Sequence, residues 1–316
     1  HSFLEMPNND FRARHDDPRV GYFTQEIDNL TSIKVADYKD VINRWKLVKK
    51  DPSAAISEPV EPIVWWVENT TPVEFRQTIV EAGLKWNEAF EKAGFKNAVV
   101  MKIMPDDAAW DPSDIRYNVI RWVSSPYPPY GAIGPSFVNP KTGQILGADI
   151  TVEWQTGSSK PTEEELFDAK SIKTDLPSLL LNQNNNEEGN FPGINKFMAC
   201  TLGQGLKAQF TTGVTALEAT GASDAEIKEL HKQFLYFLIM HEMGHTMGLN
   251  HNMKASQLLS PAEINNTEIT HSKGLQGSVM DYPSVNVALD RSKQGDYYTT
   301  KAGSYDLWAI EFGYTP

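Results

Sequence analysis

The chain of 316 residues contains one cysteine, Cys200. No intrachain disulfide can form, so stability has to come from buried apolar surface. Cationic residues are also scarce: 29 Lys and Arg stand against 41 Asp and Glu, a formal net charge of −12. That balance argues against nucleic acid or an anionic membrane as a main partner. No apolar run approaches the roughly 20 residues that a membrane-spanning helix needs. The remaining composition, 40% hydrophobic and 22% charged, is ordinary for a globular protein. The length suits one large domain, or two subdomains around one cleft. Cys200 closes the apolar string Phe197-Met198-Ala199-Cys200 and reads as a buried free thiol. A thiolate capping a metal as a latency device is the other use it could have.

One stretch stands out against this plain background: His241-Glu242-Met243-Gly244-His245-Thr246-Met247-Gly248-Leu249-Asn250-His251. His241 and His245 are four residues apart, which on a helix puts both rings on one face within reach of a single ion. Glu242 points about 100° away around the same helix. It is therefore placed to take a proton from an attacking water and not to act as a third ligand. Gly248 can adopt positive φ and end the helix, so that His251 returns toward the metal from a second direction. Three neutral imidazoles leave one tetrahedral position open, as in catalytic zinc sites. A structural zinc site is the competing reading, and it gives Glu242 no task.

The helix carrying this run has a clear start. Ser223 and Glu226 form a capping-box pattern, and Asp224 adds negative charge at the same end. Ile227, Leu230, Phe234, Leu238 and His241 then recur at steps of three and four. Phe234 to Met240 is almost wholly apolar, which predicts a helix buried on most sides.

Downstream lies Gly277-Ser278-Val279-Met280-Asp281-Tyr282-Pro283, which alone is an ordinary turn. Paired with the histidine run it resembles the metzincin clan of zinc peptidases, in which a methionine-containing turn follows the extended motif. The resemblance implies Zn2+ held by His241, His245 and His251, Glu242 as general base, and Met280 as an apolar floor. Tyr282, two residues after the methionine, resembles the turn tyrosine of astacin- and serralysin-type members, which contacts zinc or steadies the oxyanion. A packed turn tyrosine is the plainer reading. Asn252, after the third histidine, departs from the better-known metzincin families. The strings 245–252 and 278–283, with Asp17-Pro18-Arg19-Val20-Gly21-Tyr22-Phe23, are most similar to a poorly characterised family of bacterial exported Met-zincin-like proteins. That likeness implies export: periplasmic, outer-membrane-associated or extracellular. The chain begins at His1 and not Met, as a processed or truncated N-terminus would.

Elsewhere the pattern is an alternation of strands and helices. Residues 1–60 read as an arm wrapping the catalytic domain, or the end of a preceding region, with a strand expected around Val41 to Lys49. Pro62 to Glu68 reads as a buried strand. A helix runs from Thr71-Pro72 to Gly94, with Pro72 at its first position. Ala98 to Met104 and Tyr117 to Ser124 are the next strands, which makes a βαβ unit with parallel pairing. Gly134 to Val138 and Ile145 to Trp154 read as two antiparallel strands around the turn at 139–143. By resemblance, Gly134, Ser136, Phe137 and Val138 form the edge strand that pairs with extended substrate; a plain edge hairpin is the alternative. Residues 155–222, with an Asn-rich piece at 182–190, read as an insertion, and Tyr305 to Gly313 as a terminal helix.

These readings imply an α/β (α+β) fold. It has a twisted mixed sheet with an antiparallel edge strand, a backing helix and a zinc-site helix over 61–248. A smaller C-terminal subdomain, 249–316, carries the methionine turn. The expected function is zinc-dependent metalloendopeptidase, with protein or peptide as substrate. A silent zinc-binding scaffold and a zinc hydrolase of non-peptide amides are the alternatives. Structural Ca2+ occurs in metzincins, but no complete calcium loop is present here.

Overall fold

The computed structural model describes residues 4–28, 30–33, 38–125, 132–153 and 202–316. Cys200, the Asn-rich piece and residues 155–201 of the expected insertion lie outside the described residues.

The chain is a mixed α/β structure built on a five-stranded sheet ordered β5-β4-β6-β10-β7. At its centre β4 (Ile63–Val67) pairs in parallel with β5 (Val99–Ile103) and β6 (Asn118–Val123). β10 (Ile150–Glu153) continues the parallel array beside β6. β7 (Ala132–Ile133) closes one edge antiparallel to β10. The β-branched and aromatic string Ile63-Val64-Trp65-Trp66-Val67 suits a pleated, two-sided position. Ile63, Trp65 and Val67 are buried and face the core, while Val64 and Trp66 are half-buried on the other face.

Helix α1 (Val73–Leu84) crosses from β4 to β5 and packs between β5 and the long helix described below. The sequence pattern extends this helix to Gly94, but it breaks at Lys85–Trp86 and resumes as α2 (Asn87–Lys92). Pro72 is the N-cap and not the first helical residue. The break lets Trp86 turn fully into the core, where its indole N–H donates to the Met240 carbonyl. A buried Trp needs such an acceptor.

Residues 1–60 contribute strands of their own. β1 (Thr24–Asp28) and β2 (Tyr38–Ile42) form an antiparallel pair. The strand expected at 41–49 is broken at Asn43. Its second piece, β3 (Arg44–Trp45), lies parallel to β9 (Gln144–Ala148) in a three-stranded sheet completed by β8 (Ser136–Val138).

The expected hairpin at 134–154 is therefore divided between two sheets. β8 and β9 pair in the small sheet, with an irregularity between Phe137 and Val138, and the chain then crosses into the main sheet as β10. Side chains replace ladder bonds at the crossing. Asn118 accepts from the Ala148 N–H and donates to the Val64 carbonyl, and Asp149 accepts from the Val119 N–H. Pro135, lacking an N–H, stands between the two short strands β7 and β8.

Helix α3 (Leu202–Ala219) packs on the long helix α4 (Asp224–Thr246). α5 (Thr267–Lys273) and the terminal helix α6 (Ser304–Tyr314) follow, and α6 packs on α2. Gly313, expected as the stop of that helix, lies inside it, where a Cβ would come within 2.1 Å of the Tyr22 hydroxyl.

Candidate metal centre

The capping box at the start of α4 forms as the sequence indicates: the Ser223 side chain accepts from Glu226 N–H, and the Glu226 carboxylate accepts from Ser223 N–H. From Phe234 to Thr246 every residue of this helix is buried. Its last turns bring His241 and His245 onto one face, and His251 returns to meet them. One ring nitrogen from each lies within 4.8 Å of the other two, the one such cluster among the described residues.

Gly248 makes that return possible. Its φ is +96°, and a Cβ there would lie 1.9 Å from the Asn43 carbonyl oxygen. A side chain would fail on both conformation and space. Gly244 answers a different demand: a Cβ there would fall 2.3 Å from the Met280 sulfur. Fully buried Met280 thus presses its thioether against the helix turn between the two helical histidines.

The two helical imidazoles are each held in one tautomer. His241 Nδ1 lies 2.7 Å from the Val279 carbonyl oxygen, and His245 Nδ1 lies 2.9 Å from that of Leu249. A carbonyl only accepts, so each Nδ1 carries the proton and each Nε2 keeps its lone pair. A carbonyl bound to Nδ1 in this way orients a histidine whose Nε2 is to hold a metal. Burial, reinforced by the other two imidazoles, pulls His241 well below the ordinary histidine range. Burial and His251 take His245 down to about 3, and burial lowers His251. All three are neutral near pH 7, as ligation requires.

This donor set fits zinc. His245 Nε2 and His251 Nε2 are 3.1 Å apart. Two nitrogens bound tetrahedrally at 2.0–2.1 Å would be about 3.3 Å apart. Glu242 is fully buried beside His241. The Tyr282 hydroxyl is 2.7 Å from His251 Nε2, so this tyrosine reaches the cluster itself.

The expected edge-strand residues divide here. A Cβ on Gly134 would lie 2.8 Å from the Glu242 carbonyl oxygen and 3.4 Å from Glu242 Oε2. Gly134 follows directly on β7, the strand that packs against α4. Ser136, Phe137 and Val138 belong instead to the small sheet with β9. Ala132–Gly134 is thus the stretch of this region that lies beside Glu242.

Several supporting residues escape motif reading. Asp306 is buried and accepts from Ser278 Oγ at 2.6 Å and from the backbone N–H groups of Val279 and Gly303, each at 2.8 Å. It fixes the turn whose Val279 carbonyl holds His241. Its only sequence signal, an acid in the first turn of a helix, points to capping alone. Phe23 lies 5.5 Å from the His245 ring, centroid to centroid, and its N–H donates to Gly248 O at 2.7 Å. Asn250 N–H donates back to Gly21 O at 2.9 Å. Trp45 donates its indole N–H to the Thr246 carbonyl. Gly21, Phe23 and Trp45 thus tie the N-terminal residues to the histidine loop and the end of α4.

Residues 223–316 match the family model described as Met-zincin, and residues 1–50 match one described as a domain of unknown function (DUF5117). No curated protein matches the chain. The matched C-terminal segment holds α4, the clustered histidines and the turn at 277–283.

Proposed function

We propose that this protein is a zinc-dependent metalloendopeptidase, with His241, His245 and His251 holding the metal and Glu242 acting as general base. The observation that carries the reading is the tautomer lock. Two Nδ1 atoms are committed to the Val279 and Leu249 carbonyls. Their Nε2 atoms converge with His251 next to a buried carboxylate. A structural site would have no use for that carboxylate.

Zinc bound by these residues would act as a Lewis acid, lowering the pKa of a coordinated water toward about 7 and polarising the scissile carbonyl. Glu242 takes the proton of the attacking water and returns it to the leaving amine. The Tyr282 hydroxyl, released from His251 Nε2 when that lone pair is engaged, donates to the developing oxyanion. The main chain of Ala132–Gly134 aligns an extended peptide across the base. In this reading 61–248 and 249–316 are two subdomains meeting at the metal, 1–60 is an arm, and export is part of the proposal.

The test is Glu242→Gln. Zinc content by elemental analysis and the circular dichroism spectrum are expected to stay as in the wild type. Cleavage of a peptide library by the zinc-loaded protein, read by mass spectrometry, should fall by at least about 1,000-fold. Undiminished cleavage in this variant would overturn the assignment.

A further inference from the structure

His245 stands where α4 runs out. On a helix the side chain four residues on lies back over the one before it. His241 has that cover from His245, 4.7 Å away between ring centroids, and has Phe237 at 5.9 Å on its other side. It is fully buried. Four residues after His245 comes Leu249, which has left the helix past Gly248. The Leu249 carbonyl holds His245 Nδ1, but Leu249 is paired with Tyr22 in an antiparallel bridge and shares a face with it. The helix and its loop therefore leave one side of the His245 ring to be covered from elsewhere.

The cover comes from the other strand of that bridge. Successive side chains along a strand point to opposite faces. Tyr22 goes to the side of α6, where it is buried and donates its hydroxyl to the Ala309 carbonyl. Phe23 goes to the opposite side, and its ring lies 5.5 Å from that of His245 at an interplanar angle of 43°. That separation is typical of interacting aromatic pairs. His245 keeps 6% of its surface exposed, while Phe23 is half-buried, so the phenyl ring stands between the imidazole and solvent. The backbone of Phe23 is pinned independently of the ring. Its N–H donates to Gly248 O at 2.7 Å, and its carbonyl accepts from Asn43 N–H at 2.8 Å.

We propose that Phe23 is a positioning residue of the metal centre, whose ring seals the outer side of His245 against water and keeps that imidazole aligned with the ion. An apolar wall beside a ligand restricts the water that competes for the metal. Residues 1–50, which match a family model of their own, thus complete a centre whose three histidines all lie in the segment matched by the other. The inference rests on the proposed function only in taking His245 as a metal ligand.

The test follows zinc release from the loaded protein into excess chromophoric chelator. Phe23→Ala keeps both backbone bonds and is expected to release zinc about tenfold faster than the wild type, the usual scale for groups that support a ligand. Phe23→Leu restores most of the apolar volume and should stay within about threefold of the wild-type rate. Phe11→Ala removes another N-terminal ring, one that packs on Arg44, and should leave the rate unchanged. Release at the wild-type rate in Phe23→Ala, even with a lowered melting temperature, overturns the inference. So does equal acceleration in Phe11→Ala, which would mean general loosening of the N-terminal residues. Wild type that holds zinc but cleaves no peptide, with release accelerated in Phe23→Ala, sinks the peptidase reading and leaves Phe23 in its role. Wild type that cleaves peptides, with Phe23→Ala releasing zinc normally, does the reverse. If the wild type holds no zinc, the metallopeptidase reading fails and diethyl pyrocarbonate labelling of His245, read by mass spectrometry, decides for Phe23. Labelling at least about threefold faster in Phe23→Ala supports the seal, and unchanged labelling overturns it.

Discussion

Tyr282 has two possible tasks at this site, and one atom separates them. Its hydroxyl lies 2.7 Å from His251 Nε2, while its ring packs against the core. Phenylalanine keeps the ring and deletes the hydroxyl. Tyr282→Phe is expected to retain zinc and lower kcat by about 10–100-fold with little change in KM, the pattern of an interaction made in the transition state. Steady-state kinetics on one cleaved peptide checks this, and an unaffected kcat would reduce Tyr282 to packing. At this scale the sequence was most legible where chemistry forces a spacing. The interval of four between His241 and His245, the positive φ at Gly248 and the place of Met280 all follow from geometry that few residues satisfy. Phe23 and Trp45 were not legible. Their contacts cross more than 200 residues of chain, and neither stands in a pattern that local spacing can express.

Among the elements, the methionine turn depends on a carboxylate from a different helix. Asp306 at the start of α6 receives three hydrogen bonds, while burial pushes its pKa up to about 6. Asparagine offers one acceptor oxygen and an NH2 that cannot accept from the remaining N–H. Asp306→Asn is expected to destabilise the fold by about 2–4 kcal/mol near pH 5. It should also weaken zinc binding about 10-fold through the Val279 carbonyl that holds His241. The pH dependence has a definite sign. A carboxyl raised in the folded state takes up protons on folding, so this contribution to stability is full below the unfolded value of 3.8. It is lost as pH rises through about 6. Ser278, whose hydroxyl can reverse to accept, accommodates the protonated form. Because asparagine does not titrate, the wild-type advantage should narrow by about 1–2 kcal/mol between pH 5 and pH 7, measured by urea unfolding at each pH. A gap that is constant or widens would contradict the raised pKa. The same scale shows where sequence periodicity misleads. The apolar spacing through 73–94 fits one helix, but the chain forms two, α1 and α2, with buried Trp86 at their junction. The alternation through 134–154 fits one hairpin, but Asn118 and Asp149 supply the bonds that let the chain change sheets.

In the whole molecule, without a disulfide, the arm and the C-terminal segment are joined through the histidine loop. Gly248 and Asn250 exchange backbone hydrogen bonds with Phe23 and Gly21, while the Tyr22 hydroxyl donates to the Ala309 carbonyl and the Gly21 N–H donates to the Tyr305 hydroxyl. The metal would sit on the same loop through His245 and His251. Metal binding and docking of the arm should therefore be coupled, because each restricts the loop that the other uses. Removing the metal with a chelator is expected to lower the melting temperature by about 5 °C or more, from a linkage of a few kcal/mol. The loss should be localised. Amide exchange at Phe23 and Asn250, whose N–H groups bond across the junction, should accelerate on chelation. Amides of β4 at the centre of the main sheet should stay protected, because their partners in β5 and β6 do not pass through the loop. Exchange that rises equally at all these amides would mean that the metal stabilises the fold globally and that the arm is not coupled to it. Unchanged exchange at Phe23 would mean that docking of the N-terminal segment does not depend on the metal.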